Sequence, residues 1–412
     1  KMKLKSLLIG SAAVMAVSTG SAKAADAIVM AEPEPMEYVR ICDVYGAGFY
    51  YIPGTETCMK IGGYFRYELG YHRATSATST VIYNQVNAAG NFVGPFAGYG
   101  ITRTNPAGLN HFFRFAPTID VRSETALGTL RGFARVYFDY GWTPSTIPSG
   151  FVFGTSPAVF PPGPGMPALT GTLGGSYGTT TSLNQGYIEL IRSGGTFRVG
   201  LGDSPYLRFL GYGGYTMNDG RYGGVNSVEI SYTFAGSNGF SGIIALVEDG
   251  RDSDWAPMVE GGFNFAQGWG SFGIMAGYDT TPTSNSWGAK AVLRANLTER
   301  VSATLQVFYS NPGGGIGAYT IMDHSGTLTS PAGRTTWSVL GSFEAAFTEK
   351  AALQATAQWF DTGNWFVAGG LNLTPAENFS IRPEITYQTT STAASGGGAT
   401  WGGRIRLQRD IP

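Results

Sequence analysis

Uncharged and charged residues alternate along residues 60–71, which read KIGGYFRYELGY. The odd positions carry no charge, whereas Lys60, Arg66 and Glu68 all fall on even positions. A β-strand directs successive side chains to opposite faces, so this spacing separates an apolar surface from a charged one. The pattern therefore predicts a strand with an oily face and a polar face.

The same alternation recurs to the end of the chain and predicts about 16 strands, an even number within the range of bacterial outer-membrane barrels. In the cores of these strands no Asp, Glu, Lys or Arg falls on the apolar face. A soluble β-sandwich also alternates, but an Arg or Lys at the centre of a bilayer costs about 2–4 kcal/mol, which explains this exclusion better. The predicted fold is all-β, a transmembrane antiparallel β-barrel, with strands at 60–71, 110–123, 130–140, 183–193, 196–202, 227–234, 240–248, 258–266, 270–280, 286–297, 301–310, 336–347, 351–359, 365–373, 379–387 and 400–408.

The connections between the predicted strands alternate in length. The tight turns are expected at 193–195, 236–239, 267–268, 298–300, 348–350 and 374–378. The long loops are expected at 72–109, 143–181, 203–226, 311–335 and 388–399. Short turns at one rim and long loops at the other are typical of a barrel with periplasmic and extracellular ends.

Tryptophans provide a third indication of a membrane barrel. Six of them fall on the apolar parity at loop-side strand ends, which predicts an interfacial aromatic girdle: Trp142, Trp287, Trp337, Trp359, Trp365 and Trp401.

Composition and targeting agree with an exported membrane protein. Charged residues make up 13% of the chain and the net charge is −1, so no nucleic-acid partner is expected. A basic start, a short apolar run at 7–17 and the sequence AKA at 22–24 predict a signal peptide over residues 1–24, and export to the bacterial outer membrane. Residues 25–57 are expected to form a periplasmic lead-in and residues 58–412 the barrel.

Candidate chemistry is sparse. In an exported chain, Cys42 and Cys58 are expected to form a disulfide, with two free thiols as the alternative. His72, His111 and His324 lie far from metal-ligand spacing. The sequence therefore predicts no enzyme, catalytic residue, metal or cofactor.

Several motifs resemble the alphaproteobacterial, Rhizobiales-type outer-membrane porin family. They are AADAIV at 24–29, EYVRICD at 37–43, YGAG at 45–48, YIPGTETC at 51–58, SET at 123–125, LGTL at 127–130, WGG at 401–403 and RLQR at 406–409. The resemblance implies a homotrimeric general-diffusion channel of 16 strands, surrounded by outer-membrane lipids and lipopolysaccharide.

Inward positions of the first and last predicted strands are rich in cations. Because the last strand neighbours the first when a barrel closes, these cations are expected to share one pore-lining basic wall: Lys60, Arg66, Arg114, Arg131, Arg135, Arg382, Arg404 and Arg406, with Arg122 beside them. In porins of this kind, the loop at 203–226 folds into the lumen as a constriction. It would bring Asp203, Arg208, Asp219 and Arg221 opposite the basic wall and create a transverse field. We expect weak anion preference.

Two functions remain open from the sequence. The first is passive diffusion of small hydrophilic solutes and ions. The second is a substrate-specific channel, for example for sugars, or a surface adhesin on the same barrel. Aromatic residues on the inward parity keep the sugar channel open as an alternative: Tyr64, Phe112, Phe133 and Tyr137.

Overall fold

A computed structural model describes ten stretches of the chain, and every element named below lies in the compact unit Ile41–Pro412. The stretches are residues 40–72, 75–86, 92–105, 108–144, 175–249, 256–280, 286–311, 317–323, 334–390 and 398–412.

Antiparallel strands form a closed barrel of sixteen, and one short strand, β1, extends the same sheet. The barrel closes where the last strand pairs with the first, from Gly63 opposite Ile411 to Tyr71 opposite Gly403. The strands are β1 (Tyr50–Tyr51), β2 (Cys58–His72), β3 (Thr75–Val86), β4 (Phe92–Asn105), β5 (Gly108–Thr125), β6 (Gly128–Pro144), β7 (Gly175–Arg192), β8 (Gly195–Asp203), β9 (Asn226–Ala235), β10 (Phe240–Val247), β11 (Met258–Gln267), β12 (Gly270–Tyr278), β13 (Trp287–Thr298), β14 (Val301–Asn311), β15 (Ile321–Met322), β16 (Arg334–Thr335), β17 (Trp337–Thr348), β18 (Ala351–Phe360), β19 (Trp365–Ala376), β20 (Phe379–Thr390) and β21 (Gly398–Ile411).

All sixteen predicted strands are present and form the barrel. The five remaining strands, β1, β3, β4, β15 and β16, are not among the sixteen. Several of the predicted loops contain more strand than expected, and two of them most clearly. The loop at 72–109 holds the β3–β4 hairpin, and β7 begins at Gly175, inside the loop predicted at 143–181. These stretches pair through their backbones without separating an apolar face from a charged face, so side-chain alternation could not reveal them.

The outer face of the barrel is apolar and exposed. On β14, Leu305 and Val307 are 48% and 44% exposed, whereas Gln306 and Phe308 on the opposite face are fully buried. A continuous exposed apolar band of this kind requires a nonaqueous neighbour. In the described stretches, no helix has the length and hydropathy to cross a membrane.

Tryptophans lie where the girdle was predicted. Trp287, Trp337, Trp365 and Trp401 are exposed on the outer face, at the strand ends of the rim that carries the long connections, although Trp365 itself follows a short one, 361–364. Trp359 is partly buried and its ring is 4.8 Å from that of Trp337. The Trp142 side chain lies outside the described part of the chain.

A disulfide joins Cys42 to Cys58, as predicted, with a Cα–Cα distance of 6.0 Å. It closes a segment in which a short 3-10 helix, Asp43–Tyr45, precedes β1, and Phe49 packs against both cysteines. β1 pairs with the beginning of β2, so the disulfide fixes the edge at which the barrel starts.

Candidate functional site

A chain of alternating charges runs across the inner faces of β5 to β9. Its members alternate in sign because antiparallel pairing sets Arg131 opposite Glu189 and Glu189 opposite Arg198. We call it the ion-pair chain; its contacts are Arg122–Asp120 at 2.8 Å, Asp120–Arg131 at 2.8 Å, Arg131–Glu189 at 2.8 Å, Glu189–Arg198 at 2.6 Å, Arg198–Glu229 at 3.8 Å and Glu229–Arg208 at 2.6 Å.

Other members of the predicted basic wall also have polar partners. Arg114 donates two hydrogen bonds to Asp139, at 2.7 and 2.8 Å, which is the bidentate geometry that guanidinium and carboxylate favour. Arg66 donates to Gln408 at 2.9 Å. At the barrel seam Glu68 lies 2.6 Å from Arg406 and 3.9 Å from Arg404, and Arg404 reaches Glu384 at 3.3 Å.

Four cations of the predicted basic wall have no carboxylate within 4.0 Å in the described stretches: Arg66, which bonds to Gln408, and Lys60, Arg382 and Arg135. Lys60 donates to the backbone oxygen of Ala47 at 3.0 Å. Arg382 donates to Tyr215 O and to Gln354, each at 2.7 Å. Arg135 lies beside Tyr137, and its buried Nε makes no hydrogen bond.

The segment between β8 and β9, residues 204–225, is bonded to inner-face side chains of distant strands. It begins with the short helix α1 (Pro205–Arg208), where the Tyr206 N–H donates to Glu260 on β11 at 2.6 Å. On β13, Lys290 donates to Leu207 O and Arg294 donates to Tyr212 O. The two side chains thus provide hydrogen-bond donors for backbone oxygens that have no partner in a helix or a sheet.

Further along, the 204–225 segment reaches the last strands of the barrel. The Tyr215 N–H donates to Ser342 at 2.9 Å. The N–H groups of Met217 and Asn218 donate to Glu384 at 2.5 and 3.1 Å. Gln358 bonds to both the N–H and the carbonyl of residue 221, each at 2.7 Å. The segment is thereby anchored from β11 to β20.

Apolar contacts reinforce this anchoring. Tyr206 and Leu210 pack with inner-face residues of β10 to β13 that include Met258 and Met275. Tyr319, from the 317–323 segment, is fully buried in the same cluster. The Gly224 N–H donates to Ala318 O at 2.8 Å, so the two segments support each other.

The four residues predicted for the loop at 203–226 have the following contacts. Asp203 accepts hydrogen bonds from Tyr212 and Asn226. Asp219 accepts one from Tyr222 at 2.8 Å and one from Gly213 N–H, and burial raises the pKa of this carboxyl.

Arg208 joins the ion-pair chain, and burial lowers the pKa of Arg221. Among the described residues, neither Asp203 nor Asp219 forms an ion pair with an arginine of the basic wall.

Sequence reasoning missed most of the anchors. Glu260, Lys290 and Glu384 each sit on the polar parity of a predicted strand, but parity says only which face a side chain occupies. Their role depends on which loop lies against that face. In the described stretches no three His, Cys, Asp or Glu residues are grouped closely enough to hold a metal ion.

A closed antiparallel barrel with an apolar exposed exterior and charged residues inside defines a membrane-spanning channel protein of the outer-membrane type. Residues 26–407 match the family described as Porin subfamily, and the chain belongs to that family. It is 33% identical over 430 residues to the porin Omp2b of Brucella abortus (strain 2308), and 34% identical over 424 residues to the porin Omp2a of Brucella canis, with 100% of both chains covered in each case.

Solved structures show the same fold. The outer membrane channel DcaP of Acinetobacter baumannii has a TM-score of 0.55 at 11% identity, covering 87% of this chain and 99% of that chain. A triple mutant of a Rhodopseudomonas blastica porin has a TM-score of 0.50 at 13% identity, covering 85% and 99%.

Proposed function

We propose that the barrel forms a water-filled channel through which small hydrophilic solutes and ions diffuse passively across the outer membrane. The observation that carries this proposal is the contrast between the two barrel faces. The outer face exposes residues such as Leu305 and Val307, whereas the inner face holds the ion-pair chain. Charged residues cost little beside water and much beside lipid, so this contrast favours an aqueous path.

The 204–225 segment is proposed to constrict that path. Its anchors lie on β11 to β20, and the basic wall lies on β2, β5, β6, β20 and β21. The open passage would therefore run between the segment and the part of the basic wall on β2, β5 and β6, since Arg382 on β20 is bonded to the segment. Solutes would be selected there by size and charge, and none would be chemically converted.

The ion pairs weaken the anion preference that the basic wall alone would produce. A paired arginine attracts a passing anion less than a bare one, because its carboxylate partner cancels much of its field. Four cations lack such a partner among the described residues and leave a positive surplus on the basic wall: Lys60, Arg66, Arg135 and Arg382. Weak anion preference remains the proposal.

A homotrimer surrounded by outer-membrane lipids and lipopolysaccharide is proposed as the assembly, after cleavage of a signal peptide at residue 24. An apolar groove on the outer side of β19 to β21 and β2 is lined by Tyr71, Ile385, Gly403 and Ile405. It offers small and apolar residues of the kind that let membrane strands approach closely. A monomer in native mass spectrometry from mild detergent would contradict the assembly.

Planar-bilayer recording of the purified protein tests the channel directly. Stepwise conductance increases that are insensitive to added sugars are expected for general diffusion. Dose-dependent block by a sugar would instead support the substrate-specific alternative. Absence of any conductance step from correctly folded barrels would refute the channel itself.

A further inference from the structure

Arg135 differs from the other arginines on the inner faces of β5 to β8. Arg114, Arg122, Arg131 and Arg198 all bond to carboxylates. Arg135 has no carboxylate within 4.0 Å in the described stretches, and its buried Nε has no hydrogen-bond partner. The residue as a whole is partly exposed, and a guanidinium presents further donors in a fixed fork that suits a carboxylate, so this side chain retains capacity to bind one.

Aromatic rings flank this guanidinium along the same face. Its central carbon lies 5.9 Å from the ring centre of Phe133, which stacks on Tyr187 with centroids 5.1 Å apart. Tyr137 follows on the other side, since residues 133, 135 and 137 share one face of β6. A positive group between rings suits a solute that is both anionic and flat.

The site also lies where the 204–225 segment approaches the basic wall. Tyr212 of that segment is 47% exposed and its hydroxyl donates to Asp203. Asn226 donates to the same Asp203 and also to Asn184 O, and the next residue, Gln185, pairs with Arg135 across β6 and β7. A solute that passes the segment would thus meet Arg135.

Cations cover part of the aromatic surface, which favours anions over sugars. Arg114 lies 3.5 Å from the ring centre of Tyr137, and Arg198 lies 3.9 Å from that of Tyr187. A neutral sugar would need these covered ring faces for stacking, whereas an anion can bind through its carboxylate to Arg135.

We propose that Arg135, Phe133, Tyr137 and Tyr187 form a low-affinity site inside the channel for aromatic carboxylates. The proposal rests on the proposed function, because it assigns a solute class to that channel. An aromatic acid gains a carboxylate–guanidinium pair and a ring contact, whereas acetate gains only the pair. A preference of about tenfold is expected, which corresponds to 1.4 kcal/mol.

The test is single-channel recording of the full-length protein with benzoate, acetate, cyclohexanecarboxylate or benzyl alcohol added at fixed salt. Benzoate should interrupt the current at about one-tenth of the acetate concentration. Cyclohexanecarboxylate should be weaker than benzoate, because it lacks the flat ring, and neutral benzyl alcohol should be weakest. Equal block by benzoate and acetate would overturn the proposal.

Variants locate the site. Arg135→Gln should bring benzoate block to the acetate level, and Arg135→Lys should fall between, because it keeps the charge and loses the fork. Arg409→Gln removes an exposed arginine and should leave the benzoate preference unchanged. If Arg135→Gln retains the native preference, the site lies elsewhere and the proposal is wrong. A protein that never conducts would instead refute the proposed function, and this inference with it.

Discussion

Glu384 holds the middle of the 204–225 segment to the barrel, and its replacement should loosen that segment. The carboxylate is 4% exposed and accepts backbone hydrogen bonds from Met217 and Asn218. It also meets Arg404 at 3.3 Å. Glu384→Gln keeps the shape and one acceptor oxygen but loses the charge and the second acceptor.

The magnitude follows from those two bonds. A hydrogen bond to a charged group contributes about 1.5–3 kcal/mol, against about 1 kcal/mol for a neutral one. Exchanging two charged bonds for one neutral bond should weaken the anchor by at least about 2 kcal/mol. This corresponds to a roughly 30-fold change in the ratio of anchored to released segment, since 1.4 kcal/mol is tenfold.

Open-channel current noise is the assay, because a segment that detaches locally should produce brief conductance substates. Glu344→Gln is the matched control: Glu344 is also an inner-face carboxylate, but its hydrogen bond is to Gln354 on β18 and not to the segment. Both variants remove one negative charge from the lumen. Equal noise in the two variants would refute the assignment of Glu384 as the anchor.

Three further outcomes can be measured. Cys42 and Cys58 should resist alkylation until reductant is added, and replacing both with Ser should lower the free energy of unfolding by about 3 kcal/mol; labelling without reductant would contradict this. Replacing Arg131 and Arg135 with Gln should shift the reversal potential in a KCl gradient toward cations, most clearly at low salt where screening is weak; a native channel that is already strongly cation-selective would disprove the anion preference. Leu305→Arg should destabilise the barrel by about 2–4 kcal/mol in detergent or lipid, measured by urea unfolding; no loss would argue against a lipid-facing β14.

The strands could be predicted because the two-sided environment of a barrel is visible in the sequence. The contacts inside the lumen could not be predicted, because the alternation of side chains along a strand does not distinguish an inner position that faces water from one that a loop covers. Met275 is inward and fully buried beneath the 204–225 segment and Tyr319, which only the tertiary structure reveals.

Gly63 shows another limit of sequence reasoning. It is one of the uncharged odd positions of residues 60–71, and the alternation alone would accept any apolar residue there, yet its φ is +129° and a Cβ would lie 2.1 Å from Ala116 O. The backbone alone therefore requires glycine at this position.

The disulfide has a consequence for the order in which the barrel assembles. Cys42 and Cys58 are 16 residues apart, whereas the seam joins residues such as Arg66 and Gln408, which are 342 apart. Closing a long loop costs more chain entropy than closing a short one, and pairings between distant residues form slowly. The disulfide can therefore form before the seam and hold β1 against β2. The edge of β2 is then already ordered when β21 pairs with it and completes the barrel.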